Sequence, residues 1–273
     1  MSRPFAFGAW AVIWSGLLAL FITVFAGAIW ASLLILNLNT GPTVPWSPFV
    51  MAVVLWLMWQ YLGGRGWPQS TAPLRRHLLR ANPVSARVFA WSLVAGVLSI
   101  VALVGYWVVL YQLVPMAGTI LPDYSKYPLL IVVLSIVMGS LVSPFAEESG
   151  FRGYFQVVLE SRYRAPVAVI VSSAVFGLAH VLTHPWPTAS VFFLAGLIFG
   201  TIALLTNSIW PGIVVHMIGD ATFFIFVWPH DAAHHLIWQS GPDISFWFSL
   251  AQALVFTVLA IVAFRRLASA ARG

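Results

Sequence analysis

The chain has no cysteine, which excludes disulfides, thiolate metal sites and a cysteine nucleophile without assigning a compartment. Charge is almost as scarce, at 7% of residues, with seven acidic side chains in the whole sequence. No HExxH zinc motif occurs, and no tandem repeat or low-complexity tract. The alternating segments of an outer-membrane barrel are also missing, each about ten residues long. What is present is apolar: 61% of residues are hydrophobic and mean hydropathy is +0.94. These residues gather in runs of about twenty, the length that crosses a bilayer. A helix satisfies its own backbone hydrogen bonds in lipid, so the expected fold is all-α: a polytopic membrane bundle with no soluble domain. The formal charge of +6 resides between the apolar runs and near the chain ends. That placement suits lipid headgroups and argues against nucleic acid as a partner.

Eight spans are expected, at residues 7–36, 49–62, 88–114, 128–160, 165–181, 189–205, 209–227 and 244–264. Ala26-Gly27-Ala28 imitates a signal-peptidase site, but the apolar run before it is too long and continues past it, so a retained helix is expected. Trp46, Trp56, Trp59 and Tyr61 are available as interface anchors. Arg65, Arg75, Arg76, Arg80 and Arg87 mark a solvated basic loop, whose LRRHLLRA stretch suits a short helix on an anionic leaflet. Placing both termini in the cytoplasm puts Arg3, this loop, Arg162, Arg164, Arg265, Arg266 and Arg272 inside and only Lys126 outside. The expected location is therefore the plasma (inner) membrane, multi-pass. Gly196 and Gly200 have the spacing that lets two helix backbones approach closely.

Against this background, the stretch SPFAEESGFRGYFQ from Ser143 to Gln156 stands out. Pro144 is expected to interrupt the helix just ahead of Glu147 and Glu148. Glu148 and Arg152 are four residues apart and share a helix face, whereas Glu147 is turned about 100° away. The bland reading is acidic residues complementing a helix dipole beside an arginine. His180 closes the string FGLAH, and His216 and Asp220 in HMIGD lie one turn apart. A lone membrane histidine is often a packing residue, but an intramembrane ionisable pair is a functional candidate by default. If the turn at residues 161–164 joins antiparallel helices, Glu147 and His180 fall at one level, roughly 25 Å from it. His216 and Asp220 lie roughly 14 to 20 Å from a turn on the same side. The groups then share a polar cavity within the membrane.

The ordered set EExxxR, FxxxH and HxxxD, with FRG at 151–153, resembles the CPBP family of CAAX prenyl proteases and bacteriocin-processing proteins, also called Abi. The resemblance covers roughly residues 127–228; the front hundred residues resemble nothing specific. It divides the chain into N-terminal helices with the basic loop at 1–126, a catalytic core at 127–228, and an external loop with a final helix at 229–273. It implies an intramembrane glutamic endopeptidase acting near a membrane-associated or lipidated segment of a peptide or protein, with no cofactor or metal. Glu147 is then the general base, His180 orients or activates water, Glu148 and Arg152 form a supporting pair, and His216 with position 220 stabilises the oxyanion. Position 220 is Asp where the best-known CAAX proteases have Asn, and an ionised carboxylate repels an oxyanion. Asp220 is therefore protonated, or holds the His216 tautomer, or serves another purpose.

Three other functions fit parts of the pattern. A metal-dependent protease would use histidine and carboxylate ligands, with His180 and His184, or His230, His234 and His235, as candidates. A binding, immunity or chaperone protein would use the same cavity without turnover. A transporter would show interrupted helices in matching halves, and none are found in the sequence.

Overall fold

A computed structural model describes residues 7–115, 124–227 and 236–273. Arg3, Asp123, His230, Asp231, His234 and His235 lie outside the described residues. Among the described residues the chain is helical and contains no strand. Seven helices are long and apolar enough to cross a membrane: Ala9–Thr40, Ala86–Leu113, Leu129–Arg162, Ala165–Leu182, Trp186–Thr206, Trp210–Val227 and Ile244–Ala270. The remaining expected span, Ser47–Leu62, is a helix of 16 residues. At about 1.5 Å per residue it covers roughly 24 Å, short of a hydrocarbon core of about 30 Å. The long helices keep large apolar side chains on their surfaces, including Trp10, Phe21, Leu129 and Ile244. In water such surfaces would associate; in lipid they are the solvated face.

The helices group into two compact units. The first combines α1 (Ala9–Thr40), α2 (Ser47–Leu62), α3 (Ala72–Leu79), α5 (Leu129–Glu147), a π-helical segment (Glu148–Phe155) and α6 (Gln156–Arg162). α1 packs along the π segment and α5, α2 also lies on α5, and α3 abuts the π segment. Fully buried Asn37 organises the proline-rich turn between α1 and α2. Its amide donates to the carbonyls of Gly41 and Val44, and its oxygen accepts the Ser47 N–H. The basic loop departs from the expected solvated stretch, because Arg75 and Arg80 turn inward. Arg75 donates to the carbonyls of Tyr61, Arg65, Gly66 and Pro68 while its guanidinium lies 4.2 Å over the Tyr61 ring. Five donors in a planar fork make arginine suited to gathering a loop of carbonyls. Arg80 closes a two-pronged ion pair with Glu160 on α6, at 3.0 and 2.7 Å.

The second unit contains α4 (Ala86–Leu113), α7 (Ala165–Ala179), α8 (Ala189–Thr206), α9 (Trp210–Thr222), α10 (Ile237–Ser240) and α11 (Ile244–Ala270). α4 packs against α11, α9 and α8 around Ile100, Phe199, Ile202, Val215 and Leu267. Polar bonds reinforce it: the Tyr106 hydroxyl donates to Ser190 Oγ, and the Gln252 amide donates to the Val101 carbonyl. α7 and α8 meet at a glycine, as expected from the spacing. A Cβ on Gly196 would lie 2.8 Å from Ser173 Cβ, inside contact distance. α8 ends at Asn207, whose left-handed backbone (φ 50°) turns the chain into α9.

Candidate active site

The first unit carries the carboxylates. α5 runs through Pro144 without ending and keeps α geometry to Glu147; the expected break at the proline is displaced one turn later. Proline has no N–H for the Ser140 carbonyl, but a membrane helix tolerates one such loss because its other bonds remain. From Glu148 to Phe155 the helix widens to π form, and all eight residues are buried. Such widenings recur at functional sites because they re-aim side chains within a continuous helix. Two glycines allow the fit. A Cβ on Gly150 would lie 2.9 Å from the Ala19 carbonyl oxygen on α1. One on Gly153 would lie 2.9 Å from the Leu78 carbonyl oxygen on α3. Tyr154 then donates to the Leu62 carbonyl at the end of α2, so three neighbouring helices grip the segment.

This grip sets the charges. Glu148 and Arg152 are 0% and 1% exposed, and Glu148 Oε1 lies 3.3 Å from an Arg152 guanidinium nitrogen. Removing each ion from water costs several kcal/mol, so the pair persists because each partner answers the other. Glu147 is also buried, and its Oε1 accepts a hydrogen bond from Ser143 Oγ at 2.7 Å. Sequence reasoning passes over Ser143 as a functional residue, although its position one turn before Glu147 is a usable signal.

The second unit carries the imidazoles. α7 ends at Ala179, and His180 opens a 3-10 turn from which its ring reaches back one turn, Nδ1 lying 2.8 Å from the Phe176 carbonyl. A carbonyl only accepts, so Nδ1 carries the hydrogen and Nε2 is the basic nitrogen of the neutral ring. Stacking on Phe192 (centroids 3.8 Å apart) and an edge contact with Phe176 (4.6 Å) fix the ring plane. His216 is buried, stacks on Phe199 at 4.3 Å, and meets Phe176 edge-on at 6.4 Å. Phe176 therefore contacts both oriented imidazoles. Phe192 and Phe199 give no signal in the sequence, where aromatic residues in an apolar run read as core. His216 Nε2 lies 3.5 Å from Asp220 Oδ1, at the outer limit of a hydrogen bond. The carboxylate of Asp220 thus faces the imidazole of its own helix, an arrangement that favours an Nε2–H tautomer. His184 lies beyond the 3-10 turn beside Thr183 Oγ1, with its ring 5.8 Å from that of His180.

The two clusters offer different chemistry. The first presents a fixed carboxylate beside a neutralised ion pair, and the second presents two imidazoles of set orientation. The ion pair is testable apart from any reaction. Arg152→Met leaves Glu148 buried without its cation and is expected to lower stability by about 3–5 kcal/mol. Adding Glu148→Leu is expected to restore much of that loss, because an apolar pair of similar volume tolerates burial. Unfolding in mixed micelles reads both, and a neutral single variant contradicts the assigned pairing.

No curated relative and no solved structure matches the chain. A family model does: residues 128–222 match that of the type II CAAX prenyl endopeptidases, described as Rce1-like. The matched stretch begins at α5, ends with α9, and includes all three motifs. Through this segment, about a third of its length, the chain is similar to the CAAX prenyl endopeptidases, and it is the segment that carries the motifs.

Proposed function

We propose that the protein is an intramembrane endopeptidase of the glutamic type, cleaving a peptide bond near a membrane-associated or lipidated segment. The observation that carries the reading is the buried Glu147, held by Ser143 beside the buried Glu148–Arg152 pair, inside the stretch similar to an endopeptidase family. The proposal requires Glu147 and His180 to reach one water, and the two residues are nearly equally spaced in sequence from the turn at residues 161–164. Asp220 orients His216 and is not itself an oxyanion donor, consistent with its place beside Nε2.

The reaction then runs without a covalent intermediate. Glu147 takes a proton from water as the oxygen attacks the carbonyl carbon, and His180 Nε2 holds that water in line. Negative charge gathers on the carbonyl oxygen, where His216, protonated and with its Nε2–H held by Asp220, donates from Nδ1; such a donor is most effective because the site excludes bulk water. The tetrahedral species collapses as Glu147 returns the proton to the leaving amine, and the carbon–nitrogen bond breaks. Ser143 keeps one oxygen of Glu147 occupied and so fixes which way the carboxylate faces. General-base catalysis contributes about 100- to 10,000-fold. Accordingly, Glu147→Gln is expected to lower kcat by at least about 100-fold with unchanged unfolding. Ser143→Ala is expected to lower it less, and chelators are expected to have no effect. A lipidated fluorogenic peptide cleaved by purified protein in nanodiscs measures this. Full activity in Glu147→Gln removes that residue from the mechanism, and loss in chelator that zinc restores points to a metallopeptidase.

The charge bias supports both termini in the cytoplasm of the plasma (inner) membrane. That orientation requires α2 to cross despite its 16 residues, which a locally thinned bilayer permits. Single cysteines placed near each end of this cysteine-free chain report the side by labelling in intact cells. Labelling from outside at one end only is the pattern expected if α2 does not cross.

A further inference from the structure

The first unit contains a cavity of about 340 Å³ that none of the chemistry above uses. Trp59 and Gly63 from the end of α2, Arg65, and Arg76 and Leu79 of α3 line it, together with Asn82. This size lies within the range of small-ligand sites. Its composition is one-sided: two arginines and no acidic residue. Arg65 donates to the amide oxygen of Gln60, and neither it nor Arg76 meets a carboxylate among the described residues. The contrast with their loop neighbours is informative. Arg75, just before Arg76, is taken up by carbonyls, and Arg80, four positions after it, is taken up by Glu160. Arg76 itself is exposed at the cavity.

We propose that this cavity binds the phosphate of an anionic phospholipid. Guanidinium groups pair with phosphate through a planar fork of donors and are less strongly hydrated than ammonium, so they suit a partly enclosed phosphate site. The wall is amphipathic, as a headgroup site requires: Leu79 and the Trp59 ring supply the apolar side, and exposed Trp56, Tyr61 and Trp67 nearby in the chain are residues that favour the membrane interface. The site also touches the segment that carries the carboxylates. Trp59 packs against Phe145 of α5 with ring centroids 5.7 Å apart, and Leu62, beside the lining residue Gly63, accepts the Tyr154 hydrogen bond. A bound headgroup therefore braces the end of α2 against α5 and the π segment.

The inference is independent of the peptidase reading, because its readout is lipid retention and not turnover. The protein, purified in nanodiscs of phosphatidylcholine with phosphatidylglycerol, is compared with Arg65→Gln/Arg76→Gln by native mass spectrometry of retained lipid. Each exposed arginine contributes about fivefold to affinity for an anionic headgroup, so the double variant is expected to hold phosphatidylglycerol about 25-fold more weakly. Arg87→Gln removes one such charge from a residue outside the lining and is expected to change nothing. Arg76→Lys keeps the charge but loses the fork, and covers the case of a double variant that fails to fold; it is expected to bind more weakly than wild type. Titration with glycerol 3-phosphate in lipid-free micelles separates the sources. Saturable heat that the double variant abolishes supports a phosphate site open to soluble esters, and its absence alongside lipid retention supports the headgroup. Equal retention by wild type and double variant, or an equal loss in Arg87→Gln, overturns the proposal.

Discussion

In a chain with so few charges, the pairing of Glu148 with Arg152 governs how the rest is arranged. Both side chains are essentially inaccessible, so neither ion is tolerated without the other, and the segment bearing them has to be enclosed on every side. The enclosure comes from small residues and backbone. Gly150 lets α1 come against the π segment, Gly153 does the same for α3, and Tyr154 ties it to α2. Glu147 stands at the last α-helical position before this clamped stretch, which fixes a carboxylate in place next to a charge that is already neutralised. A carboxylate held in this way is suited to moving protons because little reorganisation accompanies each transfer.

The second unit obtains rigidity by a different route. Its imidazoles are oriented by aromatic faces, by a helix-end carbonyl for His180 and by the Asp220 carboxylate for His216. His180 lies where α7 ends, so its ring can fold back on Phe176. Arg80 and Glu160 serve a comparable end at the edge of the first unit, anchoring the basic loop to the end of the motif helix. The loop that the charge bias marks as topological is thus also a structural strap, with Arg65 and Arg76 left over for an external anion.

Much of the fold was legible because lipid imposes one solution on long apolar runs. The eight apolar helices lie where hydropathy put them, within a few residues at most ends, and the close approach at Gly196 follows from glycine spacing alone. The failures share a cause: they depend on what surrounds a residue. Arginine in a polar loop reads as solvated, and only the folded loop reveals carbonyls converging on Arg75. Proline reads as a break, yet α5 passes Pro144 and changes form later, where Gly150 and Gly153 permit a wider helix. Glu148 with Arg152 was legible from spacing, whereas the ring stacking that orients His180 and His216 was not, since phenylalanines in an apolar span carry no periodic mark.

The proposed peptidase chemistry requires that Glu147 and the imidazoles act on one water and one carbonyl carbon. The absence of native cysteine makes this directly measurable. With Glu147 and His180 both replaced by cysteine, a bis-thiol reagent that spans only neighbouring side chains is expected to link them in the membrane-embedded protein. A cysteine pair at Glu147 and Val171, the latter roughly 14 Å from His180 along α7, serves as the control and is expected to link far less. Failure to link Glu147 with His180 while both thiols remain reactive would contradict the shared site.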